Sequence, residues 1–301
     1  MEDDYEALPE NSKLSDHMMA GACAGILEHA LVYPFDSIKT RLQCIRPNHG
    51  IKFKGVIDGL YHIAMKEGMK HTLKGVGAVI IGAGPAHALY FASYEWVKKS
   101  FCCPSFGHLN SISYACAGAF ATSLHDAIMT PADAIKQRLQ MYQSPYRNSY
   151  QCFRRVLRNE GFPVLYRAYG AQLTMNLPYH SIYILIYEYG QNFSNPNRDY
   201  IPLAHIFSAS VAAAISSFLT NPLDVCKTVL NTQDHCALSE WSDKNQKIHG
   251  IFASAKLIYR CEGVYGYFRG AYARMLYTIP GSAISWGVYE YFKHFLKSTN
   301  N

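Results

Sequence analysis

One pattern governs what this chain can fold into: a motif that returns three times at near-constant spacing. It reads Pro34-Phe35-Asp36-Ser37-Ile38-Lys39, then Pro131-Ala132-Asp133-Ala134-Ile135-Lys136, then Pro222-Leu223-Asp224-Val225-Cys226-Lys227, so successive copies stand 97 and 91 residues apart. A Glu-Gly pair follows each copy (Glu67-Gly68, Glu160-Gly161, Glu262-Gly263), and then a basic residue with a small neighbour (Lys74-Gly75, Arg167-Ala168, Arg269-Gly270). Eighteen residues after each of those glutamates comes a proline, Pro85, Pro178 or Pro280. Ten residues further comes the glutamate of a Tyr-Glu pair, Glu95, Glu188 or Glu290. The spacing from Glu-Gly to Tyr-Glu is the same in all three copies. A chain of 301 residues built this way is three copies of one unit of about 100 residues, and such units bury their apolar faces against one another. The copies run over 17–106, 107–200 and 201–301, after an acidic tail at 1–16.

Each copy carries two largely apolar stretches close to the ~20 residues that a helix needs to cross a bilayer. They fall at 17–36 and 76–97, 112–133 and 171–190, and 203–224 and 271–292. Every stretch also holds polar residues and a proline, which keeps mean hydropathy at −0.08 and implies matched kinks. Small residues four apart recur in the first stretch of each copy, Gly21 with Gly25, Gly118 with Thr122 and Ala209 with Ala213, and permit close helix contacts. Amphipathic helices of a soluble repeat protein are the competing reading. Six spans with matched kinks favour an all-α membrane protein, six transmembrane helices in a threefold pseudo-symmetric bundle.

The net charge of +6 resolves into two opposite fields. Segments 39–75, 136–170 and 227–270, which link the two stretches of each copy, hold 21 Lys or Arg and 7 Asp or Glu, net +14, while the remainder of the chain is −8. Basic loops stay on the side of insertion, so the long loops share one side and both termini face the other. Charge of this kind does not point to a nucleic-acid partner. The nine cysteines show no C-x-x-C or zinc-finger spacing, so reduced thiols are expected. The acidic N-terminus (Glu2, Asp3, Asp4, Glu6, Glu10) lacks the marks of a secretory or arginine-rich transit segment. Neither a G-x-x-x-x-G-K-[ST] phosphate loop nor a His-Glu-x-x-His motif occurs, and the chain is not expected to be an enzyme.

Taken together, the Pro-x-Asp-x-x-Lys, Glu-Gly and Tyr-Glu repeats resemble the mitochondrial carrier family over nearly the whole chain. The resemblance implies six transmembrane helices around a central cavity, three short matrix helices, and residence in the mitochondrial inner membrane. It implies long loops in the matrix, both termini toward the intermembrane space, and cardiolipin bound near basic-aromatic sites such as Tyr166-Arg167 and Phe268-Arg269, with a monomer as the working unit. The motif chemistry agrees. Aspartate and lysine three apart share one side of a helix, so Asp36/Lys39, Asp133/Lys136 and Asp224/Lys227 are expected to close a ring on the matrix side. A second ring on the cytoplasmic side would use Glu95/Lys98, Glu188 and Glu290/Lys293. It is weaker in the second copy, where Gln191 replaces a lysine.

Helical phase selects the residues that line the cavity. Steps of seven, eleven and eighteen back from Asp36 give His29, Gly25 and Met18, and the first two of these steps from Asp133 give Asp126 and Thr122. From Asp224 they give Ser217, Ala213 and Ile206. Repeat alignment sets Glu28-His29 opposite His125-Asp126, the same two chemistries in reversed order, and Ser216-Ser217 completes the set. Two residues past the kink prolines stand His87, His180 and Ser282. Just before these prolines stand Gly82-Ala83, Met175-Asn176 and Tyr277-Thr278, the positions where the resemblance implies substrate contact. None of these six is basic, so an anionic substrate is disfavoured.

Imidazole, thioether and carboxylate together suit a borderline divalent metal such as Fe²⁺ better than Mg²⁺ or Ca²⁺. The stretches at 25–30, 82–91, 175–178 and 221–228 resemble the iron-carrying branch of the family. That resemblance implies that His29, His87, Met175 and Asn176 take part in iron passage, with supply to haem and iron-sulfur cluster synthesis. Glu28, His125 and Asp126 stand nearby and complete the transit set together with His205, which lies about 100° off the cavity phase. Fe²⁺ is then a transported substrate rather than a tightly bound cofactor. Another divalent metal, or a small neutral or cationic metabolite with a histidine proton relay, is the alternative cargo.

Overall fold

The computed structural model describes residues 14–44, 55–101, 107–141, 144–196, 201–233, 248 and 250–284. Glu290 and Lys293 of the expected cytoplasmic ring lie outside the described residues, as do the side chains of Glu95, Lys98 and Met18. Among the described residues the chain is helical and holds no strand. The long helices are α1 (Leu14–Gln43), α3 (Val76–Phe101), α4 (Gly107–Gln140), α6 (Tyr169–Ser194), the pair α7 (Pro202–Leu219) and α8 (Asn221–Thr232), and a last helix over 271–284. Short helices occupy the long loops at matching places: α2 (Val56–His62), α5 (Ser149–Asn159) and α9 (Ile251–Glu262). Helix α3 packs between α1 and α4, and α6 packs on α7.

The bundle is inside-out by the standard of a water-soluble protein. Asp36, Lys136, Asp224, Lys227, Arg41 and Arg138 are buried, while Leu31, Ile81, Leu177, Ile184, Phe207 and Leu219 are exposed on the outer faces. Water would make that surface costly, whereas lipid tails cover it and helices satisfy their own backbone bonds. Small residues seat the helices closely. Ala209 and Ala212 of α7 are fully buried with Tyr187 of α6, and a methyl at Gly190 would stand 2.9 Å from Ser208 Oγ.

Pro34 and Pro131 both lie well inside helices. Helices α1 and α4 contain Pro34 and Pro131 and run on to Gln43 and Gln140, past the apolar stretches that mark them in the sequence. The polar continuation is buried in the ring, so apolarity ends before the helix does. The third copy differs, because α7 and α8 meet at 64° across Thr220 instead of forming one span over 203–224. The cause is reach. In the first copy Tyr33, one residue before the proline, sends its hydroxyl to the Lys74 carbonyl at 2.8 Å. Its repeat partner Asn221 donates to the Tyr267 and Arg269 carbonyls at 2.7 and 3.3 Å with a much shorter side chain. The backbone must approach the loop to make that bond, and the helix breaks there with Pro222 in the first turn of α8, where a missing N–H costs nothing.

The Glu-Gly motifs show the same near-symmetry. Arg41 and its repeat partner Arg138 grip Glu67 and Glu160, each through both guanidinium ends. The third copy has Val229 at that place, and Glu262 pairs instead with Arg269 of its own motif. Helix α5 is capped by Asn148, whose side chain accepts from the Gln151 N–H at 2.8 Å. It turns Cys152 into the core beneath α4, where burial pushes the thiol up to about 12 and keeps it protonated.

Candidate functional site

An ion-pair ring closes one end of the bundle. Lys39 Nζ lies 2.8 Å from Asp224 Oδ2, Lys136 Nζ 2.8 Å from Asp36 Oδ2, and Lys227 Nζ 2.7 Å from Asp133 Oδ2. Each lysine reaches the aspartate of a different copy, so three links join three repeats. Side chains one turn further along brace the ring. Gln43 donates to Asp224 at 2.7 Å and Gln140 to Asp36 at 3.1 Å. Each is oriented by a threonine hydroxyl donating to its Oε1, Thr228 at 2.8 Å and Thr40 at 2.7 Å. The third copy has Asn231 here, one methylene shorter, which donates to Gln137 at 2.8 Å instead. The Asp133–Lys227 link therefore lacks the amide bond that its two counterparts receive. Asn231→Gln is expected to add it, worth about 0.5–1.5 kcal/mol. The check is a raised thermal unfolding midpoint in detergent together with slower uptake into liposomes.

Sequence reasoning missed Arg274. It is buried beside the ring, its Nε 3.5 Å from Asp224 Oδ2 and its guanidinium over the Tyr179 ring at 5.9 Å. Nη2 donates to Met175 Sδ at 3.6 Å, so the thioether faces a cation rather than the histidines. The signal was present: Arg274 stands six residues before Pro280, where the other copies carry Val79 and Gln172.

Above the ring a polar arc crosses the interior. Tyr277 on the last helix places Oη 3.4 Å from His29 Nδ1 on α1. The ring centroids of His29 and His87 on α3 are 6.4 Å apart, and those of His87 and His125 on α4 are 4.9 Å apart, edge to face. His125 Nδ1 lies 3.4 Å from Asp126 Oδ1, and Asn176 on α6 donates to the other oxygen of Asp126. Gln172 joins the same carboxylate at 3.5 Å. The arc thus draws on the last helix, α1, α3, α4 and α6, and Thr278 adds a 3.2 Å bond to Ser217 on α7. Glu28 lies against the last helix, its Oε1 only 3.1 Å from where a Cβ on Gly281 would stand.

Gly25 makes room for His87, since a Cβ there would fall 2.2 Å from His87 Cδ2. Gly25→Ala should fold, because a side-chain tip moves more easily than backbone, yet it must expel the imidazole. Uptake close to that of a His87→Ala protein at normal protein yield is the expected result. Comparing the two variants in liposomes checks it.

Other expected site residues are placed elsewhere. His205 is buried with Nδ1 2.7 Å from Tyr187 Oη between α6 and α7. Ala83 is fully buried in a packing cluster with Tyr33, Val79 and Met129, and Gly82 fits against Ala132 of α4. Gln191 is buried at the far end of α6, and Glu188 is half-buried one turn away. Among the described residues no three His, Cys, Asp or Glu side chains converge as a ready metal cage.

Three helical repeats with a polar interior, a lipid-facing surface and an ion-paired end define a membrane solute carrier. The chain belongs to the family described as mitochondrial carrier protein, which matches it over residues 10–104, 107–197 and 199–300. It is a transporter and not an enzyme. It is 46% identical over 296 residues to Mitoferrin-1 of Danio rerio, covering 98% of this chain and 89% of that protein. To Mitoferrin-2 of Homo sapiens it is 46% identical over 294 residues, covering 97% and 80%. To Mitoferrin of Caenorhabditis briggsae it is 40% identical over 303 residues, covering 98% and 96%.

Proposed function

We propose that this chain carries ferrous iron across the mitochondrial inner membrane into the matrix, where it supplies haem and iron-sulfur cluster synthesis. The observation that carries the reading is the arc from Tyr277 through His29, His87 and His125 to Asp126 and Asn176. Imidazole nitrogen and carboxylate oxygen are the donors that a borderline divalent ion accepts. Relatives named as mitoferrins, similar along nearly the full chain, support iron over other cargo.

The arrangement favours passage over storage. Neighbouring imidazoles are close enough for an ion to exchange one donor at a time, and an ion bound in a complete cage would be trapped. Met175 is held by Arg274, so it joins the path only when that guanidinium moves to release Asp224. Both events belong to opening of the Asp–Lys ring. With the ring on the matrix side and the termini toward the intermembrane space, the paired ring marks the state closed to the matrix. Entry of a divalent ion closes the opposite end, where Glu188 and Gln191 stand, and opens the ring. The membrane potential contributes about 2.3 kcal/mol per charge per 100 mV, so inward movement needs no hydrolysis. The basic loops favour anionic lipid such as cardiolipin, and one chain with its three repeats is the working unit.

The test is Fe²⁺ uptake by the purified protein in cardiolipin-containing liposomes under an inside-negative potential. Saturable uptake that follows the potential is expected. Uptake no faster than protein-free liposomes would overturn the reading.

A further inference from the structure

The three helices that carry the ring end together on its closed side, and their final positions are repeat partners. Cys44, Met141 and Thr232 each follow a ring lysine by five residues. Cys44 Sγ lies 3.1 Å from Met141 Sδ and 3.4 Å from Thr232 Oγ1. Cys44 and Thr232 are buried and Met141 is partly covered by the same apolar cluster. The three copies therefore bring a thiol, a thioether and a hydroxyl to one point just beyond the ion pairs.

The geometry points to a soft-donor metal site at this exit, built from Cys44, Met141 and Thr232 and filled when the ring opens. The inference deepens the iron-carrier reading and rests on it for the direction of travel. Histidine and carboxylate accept most borderline divalent ions, whereas thiolate and thioether favour Fe²⁺, Zn²⁺ and Cd²⁺ over Mn²⁺ and Mg²⁺. A sulfur pair at the exit supplies discrimination that the arc lacks.

Geometry also sets when the site forms. Two metal–sulfur bonds of ~2.3 Å at a tetrahedral angle need sulfurs roughly 3.8 Å apart. At 3.1 Å the pair is in direct contact and holds no ion. Parting of the helix ends as the ring opens makes the space. The metal–sulfur bond forms as the thiol proton passes to matrix water, and the proton returns when the ion leaves. A single thiolate holds the ion loosely, as release requires.

Cd²⁺ alone is the probe, titrated into full-length protein in detergent and read by sulfur-to-cadmium charge-transfer absorption. A thiolate band is expected in the wild type and in Cys261→Ser, a control on a partly exposed cysteine. The band should be lost in Cys44→Ser and need several-fold more Cd²⁺ in Met141→Leu, which keeps the volume. In liposomes the ratio of Fe²⁺ to Mn²⁺ uptake should fall several-fold in both site variants. A full band in Cys44→Ser, no band in the wild type, or an unchanged uptake ratio in both variants overturns the site. A wild-type protein that moves neither metal overturns the iron reading instead. The Cd²⁺ band, read without transport, still decides the site in that case.

Discussion

His87→Ala and His29→Ala proteins should each take up Fe²⁺ roughly 10–100-fold more slowly than wild type, the range in which support of a bound metal is lost. His87 is the middle of the arc, 6.4 Å from His29 and 4.9 Å from His125 between ring centroids. Its removal opens a gap in the middle of the arc. His205→Ala is the contrasting control, because that imidazole bonds Tyr187 outside the arc. Its uptake should stay within a few-fold of wild type. Equal losses in all three variants would show that the histidines act through packing alone.

Asp224→Asn should be the most damaging change in the ring. Asp224 accepts from Lys39 at 2.8 Å and Gln43 at 2.7 Å and lies 3.5 Å from Arg274 Nε. Neutralising it leaves buried Arg274 and partly buried Lys39 without their anion, and breaking one side of a buried pair costs about 3–5 kcal/mol. Asp36 faces one lysine and one glutamine, so Asp36→Asn should cost less. Thermal unfolding of both variants in detergent checks the order. The paired swap Asp133→Lys with Lys227→Asp keeps one link with reversed polarity and should regain part of the uptake that either single change loses. Equal midpoints for Asp224→Asn and Asp36→Asn would remove Arg274 from the ring.

Much of this architecture was legible because the chain writes it three times. Spacing of the proline motifs located the long helices, and an Asp–Lys pair three apart on each of three helices can link neighbouring repeats. Asymmetry was harder to read. Asn221 and Tyr33 are both simply polar until their loop partners are known, and only then does the bond from Asn221 to the loop mark the broken third helix. Within the site, phase from Asp36 and Asp133 gave His29 and Asp126, and proline spacing gave His87. The same spacing counted two or three residues from each proline and so passed over Arg274, six before Pro280, which takes Met175 as its neighbour. His205 was counted with the transit residues although its phase lies off the cavity line, and its ring bonds Tyr187 instead. Its partner Tyr187 lies on a different helix, and no periodicity along one helix identifies such a contact.

The central claim is that the arc selects a borderline divalent metal and carries it inward. Competition of Fe²⁺ uptake by the wild-type protein in liposomes, under an inside-negative potential, tests it most directly. Mn²⁺ and Zn²⁺ should compete, and Mg²⁺, Ca²⁺ and small organic cations should leave the rate unchanged. Uptake insensitive to the transition metals yet abolished by an organic cation would contradict it.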